Sequence, residues 1–390
     1  MTARRHFPKG FLWGTATAAH QIEGGNVNSD WWAFEHDPTS GVAEVSGDAC
    51  NSFELWPRDL ELATELGSGA YRFSLEWSRI EPSPGEFSRA ALDHYSRVCD
   101  SVREAGIVPV VTYNHNTLPR WVAEQGGWEW SEAPERHAQF CDVATRALGD
   151  RVGMGCTINE PNIVALEGYF IGNYPPGVRD LGRYAAVTES LVHAHRLAVD
   201  AIRSGPGSFP VGLTLSMNEL VALEGGDVHR SQAIEILEDV YLRATTGDDF
   251  VGVQSYTRVF FDGDGFVVPG DGVRTTQMGY EYWPSVAGTT ARRAAEATGL
   301  PVYITENGVG TEDDRERIEF LQGALESVHE AISQGADIRG YFFWSLMDNF
   351  EWADGYRAKF GLFEVDRSTF ERRAKPSAGF YRDVISANAI

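Results

Sequence analysis

The sequence predicts a single-domain (β/α)8 barrel that spans residues 1–390. Eight short apolar segments alternate with segments of helical periodicity, and no low-complexity linker interrupts them. Such alternation is typical of parallel βα units, and eight of these units are enough to close a barrel. Polar residues also stand in or just beyond several predicted strands, mostly at their C-terminal ends, which is where barrels of this kind carry their sites.

The predicted strands are short and apolar, and turn-forming or polar residues follow most of them. They cover residues 11–14, 70–77, 107–113, 155–159, 210–217, 250–256, 302–305 and 338–346. The helices between them show apolar residues in steps of three and four, as from Ile318 to Ile332. We expect Thr311 to cap that helix and Ser131 to cap an earlier one. Further helices are predicted at 191–202, 232–244 and 378–385.

Composition and charge argue against several classes of protein. A net charge of −23 disfavours nucleic acids and anionic membrane surfaces as partners. No apolar run reaches the roughly 18 residues of a membrane-spanning helix, and the first ten residues, MTARRHFPKG, lack the apolar core of a signal peptide. The four cysteines are far apart, without a C-x-x-C pair. They predict buried free thiols in a reducing compartment, so we expect a cytoplasmic protein without a metal or a disulfide.

Two predicted strands end in a glutamate that a strand-breaking residue follows. The segment PVYITENGVG places Glu306 before Asn307 and Gly308, and GCTINEP places Glu160 before Pro161. A carboxylate at the end of an apolar strand costs stability unless it is solvated, paired or used in chemistry. One such glutamate is equally compatible with a solvated strand end. Two of them at one end of a barrel are the groups that glycoside hydrolysis needs, one as acid and one as nucleophile.

Segments along nearly the whole chain resemble the family 1 glycoside hydrolases, which are retaining β-glycosidases. In chain order they are FLWGTATAAHQIEGG, DWWAFEHD (similar to the archaeal-type branch), AYRFSLEWSRIEPSPG, TINEP, YITENG and GYFFWSLMDNFEWADGYRAKFGL. TINEP or YITENG alone is a weak signal, but all the segments in this order form a specific one. The resemblance implies a β-glucosidase-like enzyme that hydrolyses small soluble β-glycosides through a covalent glycosyl-enzyme intermediate, without a cofactor.

The resemblance also implies a role for each matching residue. Glu160 is similar to the acid/base and Glu306 to the nucleophile, while Asn159 matches the residue that bonds the sugar 2-hydroxyl. Arg72 and Tyr256 resemble the pair that holds the nucleophile, and a nearby arginine lowers the pKa of a carboxylate and keeps it ionised. The positions that match glycone-binding residues are Gln21, His115, Trp344, Glu351 and Trp352, with Phe360 near them. Spacing alone would favour core aromatics for the two tryptophans and a satisfied strand-end histidine for His115.

The chain departs from the family pattern mainly on the leaving-group side. It is shorter than most members, and the missing residues fall between the fifth and sixth strands. Asn116 and Asn162 stand where tryptophan or another aromatic residue is common in the family, and Tyr280 replaces a further tryptophan. Residues 254–256 are Gln-Ser-Tyr, where the family usually has Asn-Tyr-Tyr. Asn162 and Tyr280 therefore predict an open, polar aglycone side. The alternative is that Trp31-Trp32 or Trp128–Trp130 refill the gap with aromatic rings.

Other functions fit the residues less well. A non-catalytic sugar-binding relative should lack one of the two glutamates, and a thioglycosidase should lack the acid/base. A metal-dependent barrel hydrolase needs a ligand cluster at the strand ends, where only His115 is a histidine; His193 and His195 do not share a helix face and are interpreted as structural. Transglycosylation, the choice among glucose, galactose and fucose, the natural aglycone and the oligomeric state all stay open.

Overall fold

A computed structural model describes residues 4–390, in which eight parallel strands close into a barrel. The barrel strands are β1–β5, β7, β10 and β11, each beside its neighbour in chain order, with β11 beside β1. The prediction of a (β/α)8 barrel is confirmed. The strands are β1 (Leu12–Ala16), β2 (Ala70–Ser74), β3 (Val108–Asn114), β4 (Met154–Asn159), β5 (Val211–Ser216), β6 (Glu219–Ala222), β7 (Phe250–Gln254), β8 (Arg258–Asp262), β9 (Gly265–Val267), β10 (Val302–Asn307), β11 (Ile338–Trp344), β12 (Phe363–Asp366) and β13 (Glu371–Ala374).

Helices follow the barrel strands and cover the outside of the sheet. They are α1 (Ala19–Glu23), α2 (Asp30–Glu35), α3 (Ser52–Glu65), α4 (Trp77–Ile80), α5 (Arg89–Glu104), α6 (Arg120–Glu124), α7 (Ala133–Leu148), α8 (Pro161–Ala165), α9 (Leu181–Arg203), α10 (Asp227–Ile234), α11 (Val240–Ala244), α12 (Val286–Thr298), α13 (Asp314–Ser333) and α14 (Pro376–Ala387). Two π-helical turns, Leu166–Ile171 and Glu235–Asp239, continue α8 and α10. No helix within residues 4–390 combines the length and apolar character needed to span a bilayer.

The barrel strands are buried on both faces, as expected for a parallel sheet between helices and barrel interior. Successive residues of β3 show this: Val110 belongs to a cluster with Met154 and Phe250, whereas Val111 packs in the large cluster that contains the helices. Each such side chain, when fully buried, contributes about 1.5–3 kcal/mol of transfer free energy. The core also holds all four cysteines as free thiols.

Several element boundaries differ from the prediction. The strands predicted at 70–77, 250–256 and 338–346 end at Ser74, Gln254 and Trp344. Trp77 already belongs to α4, and Tyr256 lines the barrel mouth instead of continuing the sheet. The sequence analysis also missed a three-stranded sheet of β6, β8 and β9 and a hairpin of β12 and β13, all outside the barrel. These strands are short, so periodicity gives them little signal.

The predicted helix caps were wrong by one or two residues. Asp313, not Thr311, caps α13, with its carboxylate accepting from the Arg315 N–H, while the Thr311 hydroxyl accepts from the N–H of Asp313. Glu132, rather than Ser131, precedes α7. Helix α9 begins at Leu181, well before the predicted start at residue 191. Its first turns already bury Tyr184, Val187 and Thr188 at helical spacing, so the period was present in the sequence and was overlooked.

Candidate active site

A cavity of about 110 Å³ opens at the C-terminal ends of the barrel strands, and both predicted catalytic glutamates line it. Most other predicted site residues line it as well, although they are scattered along the sequence. These lining residues are Gln21, His115, Glu160, Tyr256, Tyr280, Glu306, Trp344, Glu351, Trp352 and Phe360. Arg72 and Asn159 are absent from the lining because they lie behind Glu306, within its hydrogen-bond network.

Three side chains fix the carboxylate of Glu306. Oε1 accepts from Arg72 Nη1 at 2.6 Å and from Gln254 Nε2 at 2.7 Å, and Oε2 accepts from the Tyr256 hydroxyl at 2.6 Å. Glu306 is 3% exposed and Arg72 is fully buried. Because two of its donors lie on barrel strands and the third lies two residues beyond the end of β7, the carboxylate is held in one orientation before any ligand arrives.

The same network orients Asn159, the last residue of β4. Its Oδ1 accepts from Arg72 Nη2 at 2.6 Å and from Gln254 Nε2 at 2.9 Å. The amide nitrogen Nδ2 has no hydrogen-bond partner among the described residues. Asn159 is therefore fixed as a hydrogen-bond donor next to Glu306, which suits a sugar hydroxyl close to the reacting carbon.

Glu160 has a different environment. It has a left-handed backbone (φ 42°) directly before α8, a conformation that is strained for a residue with a side chain. Burial, together with the charge of Glu306, raises its pKa well above the ordinary value. The proton of the pair therefore belongs on Glu160, which starts as an acid.

Arg72 lowers the pKa of Glu306 as expected, but the net shift is upward. Burial is the largest influence and raises the pKa of Glu306, and the Arg72 charge and the Tyr256 hydroxyl oppose that rise. Glu306 is therefore the ionised member of the pair because three side chains donate hydrogen bonds to it and none of them donates to Glu160. Its pKa need not be low in absolute terms.

The opposite end of the cavity is built from aromatic rings and an amide. The ring of His115 lies nearly parallel to Trp344 and Trp352, with centroids 6.0 and 6.1 Å apart. Gln21 donates to the Phe350 carbonyl at 2.7 Å and lies 3.4 Å from Glu351 Oε2. Burial and the nearby Arg72 charge hold the pKa of His115 well below its usual range, so the imidazole is neutral.

Two residues behind this end hold Trp352 in place. The His20 ring stacks on it with an interplanar angle of 3° and a centroid distance of 5.7 Å, and Trp31 packs against it at 4.7 Å. Apolar ring faces next to hydroxyl-binding groups are suited to a pyranose ring. Among residues 4–390, no cluster of three or more His, Cys, Asp or Glu side chains could hold a metal ion.

Comparison with known proteins identifies the family. The profile of "Glycosyl hydrolase family 1" matches residues 3–261 and 271–390. The chain belongs to glycosyl hydrolase family 1. It is 34% identical to β-glucosidase A of Thermotoga maritima, with 99% of each chain covered. It is also 34% identical to a bifunctional β-D-glucosidase/β-D-fucosidase of Bifidobacterium breve, covering 97% of this chain and 98% of that one.

The barrel also matches solved structures. The crystal structure of β-glycosidase BGL167 superposes with a TM-score of 0.93 at 40% identity and covers 98% of both chains. Membership of the family makes the protein a glycoside hydrolase. The alignment with the Thermotoga relative extends over 442 positions, more than the 390 residues of this chain, so the family 1 hydrolase described here is the shorter of the two.

Sequence analysis missed six residues of this family 1 site. Gln254, which was noted only as a departure from Asn-Tyr-Tyr, binds both Glu306 and Asn159. Its place at the end of a barrel strand was a usable signal. The other five line the cavity and belong to no motif. Ser216 ends the barrel strand β5, and the remaining four come from helices and loops: Ile163, Glu167, Tyr174 and Met278.

The expectation for Asn162 differs from what the structure shows. Its side chain is 3% exposed and turned away from the cavity, where Nδ2 donates to the Ser216 carbonyl at 2.7 Å and to the Leu237 carbonyl at 3.1 Å. The residue next to it, Ile163, lines the cavity instead. Asn162 thus ties α8 to β5 and the second π-helical turn, and it forms no part of the aglycone surface.

Tyr280, which the sequence predicts on the aglycone side, does line the cavity, and it is 41% exposed. The tryptophans considered as replacements do not refill this side. Trp31 and Trp128 are almost fully buried and do not line the catalytic cavity. Tyr174 lines it instead, with its ring edge-to-face against Trp31 at 4.8 Å. One aromatic ring that the sequence did not indicate therefore stands on the leaving-group side.

Proposed function

We propose that this glycoside hydrolase is a retaining β-glycosidase that cleaves small, soluble, neutral β-glycosides by double displacement. The observation that carries the proposal is a contrast between two glutamates of one cavity. Three hydrogen-bond donors hold the carboxylate of Glu306, whereas burial and the charge of Glu306 raise the pKa of Glu160. Pairs of carboxyl groups with separated pKa values have separate roles, one as acid and one as base or nucleophile. Its relatives named β-glucosidase support the β-linked glycone.

In the first step, Glu306 attacks the anomeric carbon, and the bond from that carbon to the leaving oxygen breaks. Glu160 donates its proton to that oxygen, and a covalent glycosyl ester of Glu306 remains. Asn159, fixed as a donor beside Glu306, binds the 2-hydroxyl, where hydrogen bonds strengthen in the transition state.

In the second step, water hydrolyses the ester. Glu160, now ionised, takes a proton from a water molecule whose oxygen attacks the anomeric carbon, and Glu306 leaves as a carboxylate. Arg72, Gln254 and Tyr256 are the donors that receive the returning charge. Two inversions give net retention of the β-configuration.

The glycone we propose is an unphosphorylated sugar such as glucose, galactose or fucose. Four glutamates line the catalytic cavity, Glu160, Glu167, Glu306 and Glu351, and neither lysine nor arginine is among its lining residues. A sugar phosphate would bring a dianion next to these carboxyl groups without a cationic partner. Burial and the Glu306 charge raise the pKa of Glu351 to about 8, so its carboxyl group can donate as well as accept a bond from a sugar hydroxyl.

Product stereochemistry tests the mechanism. Proton NMR during hydrolysis of a nitrophenyl β-glucoside should show the β-anomer of the free sugar first, and nitrophenyl α-glycosides should not react. In a crystal structure the two carboxyl groups should lie roughly 5–5.5 Å apart. An α-anomer as first product, or a separation above about 6.5 Å, would contradict double displacement.

Substrate competition tests the glycone. A neutral β-glucoside should be hydrolysed much faster than its 6-phosphate, and faster hydrolysis of the phosphate would overturn this part of the proposal. We also place the protein in the cytoplasm as part of the same proposal. Its four buried free thiols support that location, because free cysteines are usual in reducing compartments.

A further inference from the structure

A second, larger cavity lies beside the catalytic one, with a volume of about 390 Å³. We call it the side cavity; its walls include Asp30, Phe34, Asn116, Leu118, Trp128 and Tyr169. The proposed mechanism uses none of these residues. The volume falls within the range of small-molecule sites, roughly 300–1,000 Å³.

The two cavities are separated by a wall that is one side chain thick. Three pairs of consecutive residues each place one member in the catalytic cavity and the next in the side cavity. They are His115 and Asn116, Ile163 and Val164, and Tyr174 and Pro175. The side cavity is thus a neighbour of the catalytic site and shares its supporting segments, but no residue lines both.

Two mostly buried polar side chains of the side cavity each keep one oxygen without a hydrogen-bond partner. Asn116 is 6% exposed in a left-handed conformation (φ 67°), and its Oδ1 is buried without a hydrogen-bond partner among the described residues. Asp30 is 8% exposed; its Oδ1 accepts from the N–H groups of Trp31 and Leu118, each at 2.8 Å, and within residues 4–390 nothing donates to its Oδ2. Buried polar groups are nearly always hydrogen-bonded, so the Oδ1 of Asn116 indicates a missing partner. The Oδ2 of Asp30 is not fully buried and is free to bond a ligand.

The remaining walls are apolar and aromatic, and the charges are mostly negative. Phe34, Leu118, Trp128 and Tyr169 supply rings and an aliphatic surface. Besides Asp30, three carboxylates line the side cavity against two arginines: Asp37, Glu124 and Glu129 against Arg120 and Arg183, with Arg183 paired to Glu129. This balance disfavours an anion, while an amide and a carboxyl group beside rings are suited to hydroxyl groups on a ring with apolar faces.

We propose that the side cavity is a second binding site for a neutral, hydroxyl-rich ring of monosaccharide size, separate from the catalytic site. In this site the amide of Asn116 and Oδ2 of Asp30 bond the hydroxyl groups. Burial raises the pKa of Asp30 to about 8, which leaves its carboxyl group able to donate at neutral pH.

The location is tested with D-glucose as the probe, by crystallography of the whole chain at a saturating glucose concentration. Glucose should occupy the side cavity with hydroxyl groups in hydrogen-bond distance of Asn116 and Asp30. Glucose 6-phosphate should occupy it less, because the carboxylates repel the phosphate. Ordered water alone in the side cavity, in crystals soaked with glucose, overturns the proposal.

Substitutions at the cavity edge test the assignment in solution. Ala33 is exposed on α2 and lines the side cavity, so Ala33→Trp should fill it and weaken this binding of glucose about tenfold or more in ligand-observed NMR. His36→Trp, at the end of the same helix but outside the lining, is the matched control and should leave binding unchanged. Asn116→Ala removes the amide without adding bulk and should also weaken binding. If Ala33→Trp and Asn116→Ala both bind glucose as tightly as the control variant His36→Trp, the proposal is overturned.

The two proposals fail separately. If the protein does not hydrolyse β-glycosides, glucose in the side cavity and its loss in Ala33→Trp are still measurable, because neither depends on turnover. Conversely, Ala33→Trp should hydrolyse nitrophenyl β-glucoside normally, since Ala33 does not line the catalytic cavity.

Discussion

The two walls of the catalytic cavity are built in different ways. The nucleophile wall comprises Glu306, which lines the cavity, and three residues directly behind it: Arg72, Asn159 and Gln254. These four come from four barrel strands, are each at most 3% exposed and are joined by hydrogen bonds of 2.6–2.9 Å. On the leaving-group wall, Ile163, Glu167, Tyr174 and Tyr280 come from short helices and loops, are only partly buried, and none of their side chains hydrogen-bonds another of the four. Chemistry is thus placed on a rigid frame, and leaving-group recognition on segments that tolerate change.

The largest expected effect is on the nucleophile wall. Glu306→Gln keeps the size of the side chain and an oxygen for Arg72, but the amide cannot form the glycosyl ester. We expect kcat/KM for a nitrophenyl β-glucoside to fall by about four orders of magnitude or more, with a smaller loss of unfolding free energy than in Glu306→Ala, because the amide oxygen still accepts from Arg72. Retention of even about a hundredth of the activity would remove Glu306 from the nucleophile role.

Glu306→Ala is the matched variant for stability. It leaves the buried guanidinium of Arg72 without its carboxylate, and breaking a buried ion pair in this way costs about 3–5 kcal/mol. Chemical unfolding should therefore separate the two variants although both are inactive. Equal stability would mean that the network around Glu306 is less constrained than its distances indicate.

The next largest effect concerns Glu160. Glu160→Ala should slow an alkyl β-glucoside far more than a dinitrophenyl one, by a further factor of roughly 10² or more, because only the poor leaving group needs the proton. Azide should restore activity and give the β-glycosyl azide. Glu167→Ala, another carboxyl group on the leaving-group wall, is the control and should slow both substrates by a similar, small factor.

The residues of the nucleophile wall were easier to predict from the sequence than those of the leaving-group wall. Strand-end residues such as Glu160, Glu306 and His115 were found because each follows an apolar strand and the barrel brings these ends together. Tyr174 and Met278 were missed because loops carry no period, and their neighbours are set only by tertiary packing.

Two residues show the limits within the motifs. Asn162 directly follows Glu160 and Pro161, but the tight turn into α8 directs it towards Ser216 and Leu237, which no sequence spacing reveals. The pKa of Glu306 could not be derived from its neighbour Arg72 alone, because burial outweighs the charge of the arginine. Sequence reasoning identified which groups meet, but the balance of their energies required the three-dimensional environment.

A smaller effect should distinguish Gln254 from the other residues of the nucleophile wall. Gln254→Leu removes the donor that bridges Glu306 and Asn159, and we expect kcat/KM to fall about 10- to 100-fold, less than the loss for a dedicated oxyanion donor. A hydrogen bond to the ionised form lowers a pKa, so its removal raises the pKa of Glu306. Protonated Glu306 is not a nucleophile, and the acidic limb of the pH–rate profile should move to higher pH.

Gln254→Asn is the matched control for this effect. Its amide is one methylene shorter and cannot keep both bonds at 2.7 and 2.9 Å, so its activity and acidic limb should lie between those of the wild type and the leucine variant. A purely structural role would lower activity without moving the limb. An unchanged acidic limb in Gln254→Leu would thus show that the other two donors alone hold the charge.

The smallest expected effect lies on the leaving-group wall, where the same substitution at two neighbouring positions should have opposite effects. Ile163 lines the cavity, so Ile163→Trp should add a stacking face and improve KM for aryl β-glucosides by the roughly 0.5–1.5 kcal/mol of an aromatic pair, a few-fold. Asn162→Trp, which the sequence alone would have favoured, should instead lower the unfolding free energy by about 1–3 kcal/mol, because it overpacks a buried site and removes three hydrogen bonds. Steady-state kinetics with aryl and alkyl glucosides, together with unfolding curves, measure the KM and the unfolding free energy of both variants. Better aryl binding in Asn162→Trp than in Ile163→Trp would mean that α8 turns on its axis to present residue 162 to the leaving group, and that this wall is more adjustable than its partly buried side chains indicate.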